Sequence, residues 1–203
     1  MTRLNSTRSD RTVGVVLLIS SVLTVVAMAH HPSGAHGGKL VYLVHGTMIV
    51  LLSSMFFGFC HYSMRRDLGR PLILAALVAY LLNYFAHIIA GTVNGFIVPA
   101  LVEHGQAIPH ALFLFAWESN QAFARLGTAA TAVAFALWGF DLLRNETGFS
   151  RLIGGFGITA GLVPLVLLTA DATMDVRTAL VIYSLHSGFV ALVAIRLIQR
   201  KLP

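Results

Sequence analysis

Apolar residues in this chain fall into six long runs that are separated by short polar connections. The runs cover about residues 12–29, 41–61, 72–97, 111–140, 152–170 and 178–198. Most of them reach the roughly 20 residues that an α-helix needs to cross a hydrocarbon core. A helix satisfies its own backbone hydrogen bonds, as lipid requires. We therefore predict an all-α, polytopic integral membrane bundle of six transmembrane helices that forms one domain over residues 1–203.

The composition supports this prediction and narrows the partners. Hydrophobic residues make up 57% of the chain and charged residues 11%, whereas soluble domains carry about 25% charged residues. The formal net charge of +6 does not indicate nucleic-acid binding, because the basic residues lie between the apolar runs and form no basic face. The lipid bilayer is the expected partner. The one cysteine, Cys60, excludes an internal disulfide and a CxxC redox pair.

The charged connections alternate along the chain and predict the topology. Basic residues concentrate on one side, at Arg3, Arg8, Arg11, Arg65, Arg66, Arg70, Arg144, Arg151, Arg196, Arg200 and Lys201. The other side carries only Lys39 and Arg177. The positive-inside rule then places both termini in the cytoplasm and the protein in a bacterial-type inner membrane. The first apolar run, which ends in Ala27-Met28-Ala29, also fits a cleavable signal peptide, and its removal would leave five helices.

Small residues at helical spacing predict close helix contacts. Gly91 and Gly95, Gly157 and Gly161, and the alanine-rich run 129–136 are suited to backbone approach within the bundle, in a homo-oligomer or in a larger membrane complex. Pro164 interrupts the fifth helix, so we expect a kink and a carbonyl at Ala160 without its helical partner.

Four ionisable side chains from four different helices are predicted to share one outer layer. At 1.5 Å per residue, His45, Glu118, His186 and His87 lie about 6, 10, 12 and 15 Å below the outer surface, and Arg125 lies about 21 Å below it. Each belongs to a polar stripe on an otherwise apolar helix. Because charged groups inside a membrane are costly, these stripes predict an outward-opening pocket.

The pocket residues point to metal chemistry. Three imidazoles and one carboxylate suit Zn, Cu or Fe, so His45, His87, His186 and Glu118 are the predicted ligands. Glu118 is also the candidate catalytic base or proton relay, with Arg125 as its charge partner. The outer segment from His30 to His36, with His104 and His110, is interpreted as a supply of ions to this site.

These residues leave three hypotheses open. The first is a membrane protein for metal uptake or for a metal-dependent redox or hydrolytic reaction, so whether the chain is an enzyme is undecided. The second is a subunit of a respiratory complex that reacts with quinone or holds one b-type haem between two histidines, for example His87 and His186. In the third, an accessory bundle without chemistry, the histidines only hydrogen-bond neighbouring helices.

Overall fold

The computed structural model describes residues 3–32, 38–103, 109–170 and 173–199, and their regular elements are all helical. The α-helices are α1 (Arg3–Ala29), α2 (Lys39–Arg65), α3 (Pro71–Thr92), α4 (Val98–Glu103), α5 (His110–Asn145), α6 (Gly148–Thr169) and α7 (Val176–Gln199). A π-helical segment, Val93–Ile97, joins α3 to α4 without a break. Counting α3 to α4 as one rod, six helices are long and apolar enough to cross a membrane, as predicted.

Each rod is longer than its apolar run, and two are much longer than the roughly 20 residues that span a hydrocarbon core. The rod Pro71–Glu103 has 33 residues and α5 has 36. At 1.5 Å per residue α5 is about 54 Å long, against about 30 Å for a hydrocarbon core. One end of α5 therefore extends beyond the thickness of the core unless the helix is strongly tilted.

The six rods close into a ring that follows the order of the chain. Each spanning helix packs against the next, and α7 packs against α1. Leu17 of α1 is fully buried and occupies space that Gly58 of α2 leaves open. The predicted small-residue contacts lie inside this ring: Gly157 and Gly161 of α6 pack on the backbone of α5, and Gly91 and Gly95 face α2.

An aromatic cluster fills the middle of the ring. Trp138 stacks on Phe59 with ring centroids 4.5 Å apart, and Phe135 and Phe189 pack beside them at 4.6 Å from each other. All four side chains are almost completely buried. The cluster separates one end of the bundle, which carries cavities, from the other end, which carries ion pairs.

The end with ion pairs, called here the arginine-rich end, joins five helices or their adjoining loops. Asp141 of α5 is fully buried and pairs with Arg66 and Arg70. Glu146 pairs with Arg66 and, at 2.8 Å, with Arg196. A separate group links α1 to α2, where Asp10 accepts from His61 at 2.7 Å and from Arg65 at 3.1 Å. The basic residues Arg65, Arg66, Arg70 and Arg196 of the predicted cytoplasmic side are therefore paired with the chain's own carboxylates.

Candidate metal site

A cavity of about 110 Å³ opens at the end of the bundle opposite the arginine-rich end. We call it the histidine cavity. Its chemically distinctive lining residues are Met28, His31, His45, Met48, His87, Met174 and Asp175. They come from α1, α2, α3 and the segment before α7, so the closure of the ring brings them together.

His45 lies on the second turn of α2 and is buried. Its ring packs on Gly95 in the π-helical segment, where a β-carbon would overlap the imidazole. A π-turn adds one residue to the helical register and is frequent at functional sites. The local distortion of the α3–α4 rod thus makes room for a histidine that an ordinary side chain at position 95 would exclude.

His31 follows the end of α1 and meets His45 directly. The two Nε2 atoms lie 3.1 Å apart, and the rings meet edge to face with centroids 4.7 Å apart. Sequence reasoning had assigned His31 only to a loop that supplies ions. Helical periodicity could not have identified it, because His31 lies beyond Ala29, the last residue of α1.

The tautomers of this pair follow from their other hydrogen bonds. Nδ1 of His45 lies 2.9 Å from the carbonyl oxygen of Val41, and Nδ1 of His31 lies 3.1 Å from that of Pro32. A carbonyl oxygen only accepts, so each Nδ1 must carry the proton and donate it. Both Nε2 atoms of the neutral rings then present lone pairs to each other, and only a cation or a shared proton between them makes this contact favourable.

The distances fit an ion that is shared between the two nitrogens. With metal–nitrogen bonds of about 2.0 Å, a separation of 3.1 Å corresponds to an angle of about 100° at the ion, close to tetrahedral. Rings that direct their lone pairs at such an ion have centroids about 4.8 Å apart, and 4.7 Å is observed. Backbone carbonyls that hold the opposite Nδ1–H are the usual outer support of a metal-binding histidine.

A shared proton is the weaker explanation of this contact. Burial, and then the nearby charge of His45, lower the pKa of His31 to about 4. Near neutral pH the pair is therefore without the extra proton that would join the two rings.

His87 of α3 lies on the wall between the histidine cavity and a second, small polar cavity of about 20 Å³. Its Nδ1 is 2.5 Å from Oδ1 and 3.2 Å from the carbonyl oxygen of Asn83. Nδ1 therefore donates, and Nε2 again has a bare lone pair. Gly127 of α5 supplies the space for this ring, which a β-carbon would overlap.

His186 of α7 lines the small polar cavity together with His87. Nε2 of His186 is buried and has no hydrogen-bond partner among the described residues. Three histidines thus present an unprotonated Nε2, with His31 and His45 in direct contact and His87 deeper in the bundle.

The four predicted ligands do not converge on a single point. Within the described residues, no three His, Cys, Asp or Glu side chains are close enough to hold one ion. His45 belongs to the pair with His31, whereas His186 lines only the small polar cavity of the two. The candidate group that the geometry supports is therefore the pair of His31 and His45, which is smaller than the predicted set of four. It includes His31, which was not a predicted ligand, and leaves out His186.

Glu118 and Arg125 lie outside the histidine cavity. Glu118 is exposed on the surface of the long α5 and does not face the cavity. Arg125 is half-buried one full heptad further along α5. Gln121 is the member of this stripe that reaches the site: it accepts from the backbone N–H of Met174 at 3.2 Å.

Of the remaining histidines, His61 is paired to Asp10 at the arginine-rich end, away from the cavity. His30 and His110 are exposed. His36 and His104 lie outside the described residues. A cavity of 110 Å³ is also well below the roughly 300–1,000 Å³ of pockets for larger ligands, so its size favours an ion over a haem.

Comparison of the chain with protein-family models, with curated proteins and with solved structures finds no match. The fold and site together define a multi-pass helical membrane protein with a histidine cavity at one end.

Proposed function

We propose that this protein takes up a late transition-metal ion across the membrane and first binds it between His31 and His45. The observation that carries the proposal is the contact of two unprotonated Nε2 atoms at 3.1 Å. Two buried lone pairs at this distance repel, so the arrangement is stable when a cation lies between them. Zn(II), Cu(I) and Fe(II) all accept imidazole nitrogen.

Uptake is favoured over a reaction by what surrounds the pair. Glu118, the predicted base, is exposed on α5, and Asp175 accepts the N–H of Thr178 at 2.8 Å at the start of α7. By contrast, His87 borders both cavities and offers the next bare Nε2 on the way into the bundle. An ion can thus exchange one imidazole for another as it moves inward.

The proposal includes the orientation. The arginine-rich end would face the cytoplasm by the positive-inside rule, so the histidine cavity would open to the outside of an inner membrane. The aromatic cluster around Trp138 and the ion pairs of Asp141 would close the cytoplasmic side in the conformation described here.

The binding step is tested with protein purified in mild detergent and titrated with Zn(II) at pH 7. Variants His31→Ala and His45→Ala should lose affinity by at least about tenfold, the lower range for damage to a metal site. His30→Ala is the matched control, because His30 adjoins His31 but is exposed. Equal binding by all three variants and the wild type would refute the site.

The uptake step is tested in vesicles that contain a metal-sensitive dye. His87→Ala should reduce the rate of ion entry while titration still detects binding at the first site. His87→Gln, which keeps a polar side chain, guards against loss of folding. Entry at the wild-type rate in both variants would show that the ion does not pass His87.

A further inference from the structure

Three of the six methionines of the chain line the histidine cavity, two of them next to the histidine pair in sequence. We infer that the ion is monovalent copper, Cu(I), held by His31 and His45 and completed by the thioethers of Met28 and Met48. This inference rests on the proposed function and names its substrate.

Each histidine of the pair has a methionine three residues away in the sequence. Met28 precedes His31 by three residues, and Met48 follows His45 by three. His45 and Met48 therefore share one face of α2, and the His31 N–H donates to the Met28 carbonyl oxygen at 3.1 Å in the turn that follows α1. Met28 and Met48 are 3% and 8% exposed and belong to one small buried cluster at this end of the bundle, apart from the main core. Both therefore lie at the wall of the cavity that holds the two imidazoles.

The pair of histidines alone does not complete a coordination shell. Two nitrogens leave an ion with open positions, and the described residues provide no third His, Cys, Asp or Glu close enough to fill one. The soft donors on the wall are the thioethers of Met28, Met48 and Met174, whereas Asn94, Asn120, Asp175 and Tyr183 offer oxygen. Soft sulfur ligands select Cu(I), whereas Zn(II) prefers imidazole, thiolate or carboxylate.

The charge of the cavity also favours a monovalent ion. The cost of moving an ion out of water grows with the square of its charge, so a divalent ion pays about four times as much as a monovalent one. Among the described residues the acidic residue on the wall is Asp175, which is exposed and accepts the N–H of Thr178. A cavity without a dedicated carboxylate is therefore better suited to Cu(I) than to Zn(II).

The third methionine, Met174, is held over the cavity by Gln121. The Gln121 side chain accepts from the Met174 N–H at 3.2 Å and donates to its carbonyl oxygen at 3.5 Å. This bidentate contact ties the segment before α7 to α5. It gives Gln121 a positioning role, since it fixes the backbone that carries a further thioether.

The test compares Ag(I), a stable substitute for Cu(I), with Zn(II) on the detergent-purified full chain. The double variant Met28→Leu with Met48→Leu keeps the side-chain volume, and such exchanges are well tolerated in cores. We expect it to lower Ag(I) affinity by about 10- to 100-fold, the range for impaired metal sites, and to leave Zn(II) binding within about twofold of wild type. Met64→Leu, which is exposed near the arginine-rich end, is the control and should bind as wild type.

X-ray absorption of wild-type protein loaded with Ag(I) provides a readout that needs no variant. Sulfur neighbours together with nitrogen neighbours support the inference. Nitrogen neighbours alone, or unchanged Ag(I) affinity in the double methionine variant, would show that the methionines only fill space. Tighter binding of Zn(II) than of Ag(I) would also overturn it. These outcomes leave the proposed function intact, which fails only if His31→Ala and His45→Ala bind either ion as the wild type does.

Discussion

The buried carboxylate of Asp141 gives the sharpest prediction about stability. It is fully buried at the arginine-rich end, pairs with Arg66 and Arg70, and accepts from the Asn145 amide at 2.9 Å. Asp141→Asn keeps the size of the side chain but removes its charge. Arg70 then loses its counter-charge and Arg66 keeps only that of Glu146, and breaking a buried pair from one side costs about 3–5 kcal/mol.

Glu146 provides an internal comparison, because it joins the same network from a more accessible position. Its side chain is 23% exposed, against 1% for Asp141. Ion pairs that water reaches contribute about 0.2–1 kcal/mol each, so Glu146→Gln should cost about 1 kcal/mol. For a chain of this size 1 kcal/mol corresponds to roughly 2–4 °C in Tm. The expected losses are therefore about 6–20 °C for Asp141→Asn and about 2–4 °C for Glu146→Gln.

The assay is thermal unfolding in mild detergent, followed by tryptophan fluorescence. Arg144→Gln, at an exposed position on the same turn of α5, is the control and should change Tm little. The double variant Asp141→Asn with Arg66→Gln should lose less than the sum of the single losses, because the two residues interact. Equal losses for Asp141→Asn and Glu146→Gln, or additive losses in the double variant, would refute the assignment of a buried, coupled pair.

Three further predictions concern the histidine end. Gly95→Ala should displace His45 and weaken metal binding by more than about tenfold. Gly155→Ala, which has open space around it, should bind metal with the affinity of the wild type. A larger loss of affinity in Gly155→Ala than in Gly95→Ala would contradict the packing. Because burial lowers the pKa of His31 from 6.5 to about 4, the unfolded chain takes up a proton at this residue before the folded chain does, so the metal-free protein loses stability as pH falls from 6.5 to 4. The Tm of the metal-free protein should drop over this window by an amount worth about 1–2 kcal/mol after allowance for solvent, and His31→Gln should flatten the drop. In a Cys60→Ala background, a membrane-impermeant thiol reagent should label Asp175→Cys from outside and Thr147→Cys only from inside; the opposite pattern would invert the proposed orientation.

The apolar runs determined the fold of this protein almost by themselves. A helix that crosses lipid must satisfy its own backbone, so length and hydropathy suffice to predict six spanning helices, and the structure has six. The close helix contacts at Gly157 and Gly161 could also be predicted from the sequence, since only small residues allow helix backbones to approach so closely.

The site required tertiary information, because its parts depend on helix ends and helix phase. His31 lies just beyond α1, where periodicity no longer assigns a direction, and only the closure of α1 onto α2 brings it to His45. Glu118 shares its stripe with Gln121 but is exposed on the surface of α5. Depth counted along a helix assumes a straight rod that ends at the membrane surface, and both the 36-residue helix and the π-turn at Gly95 break that assumption.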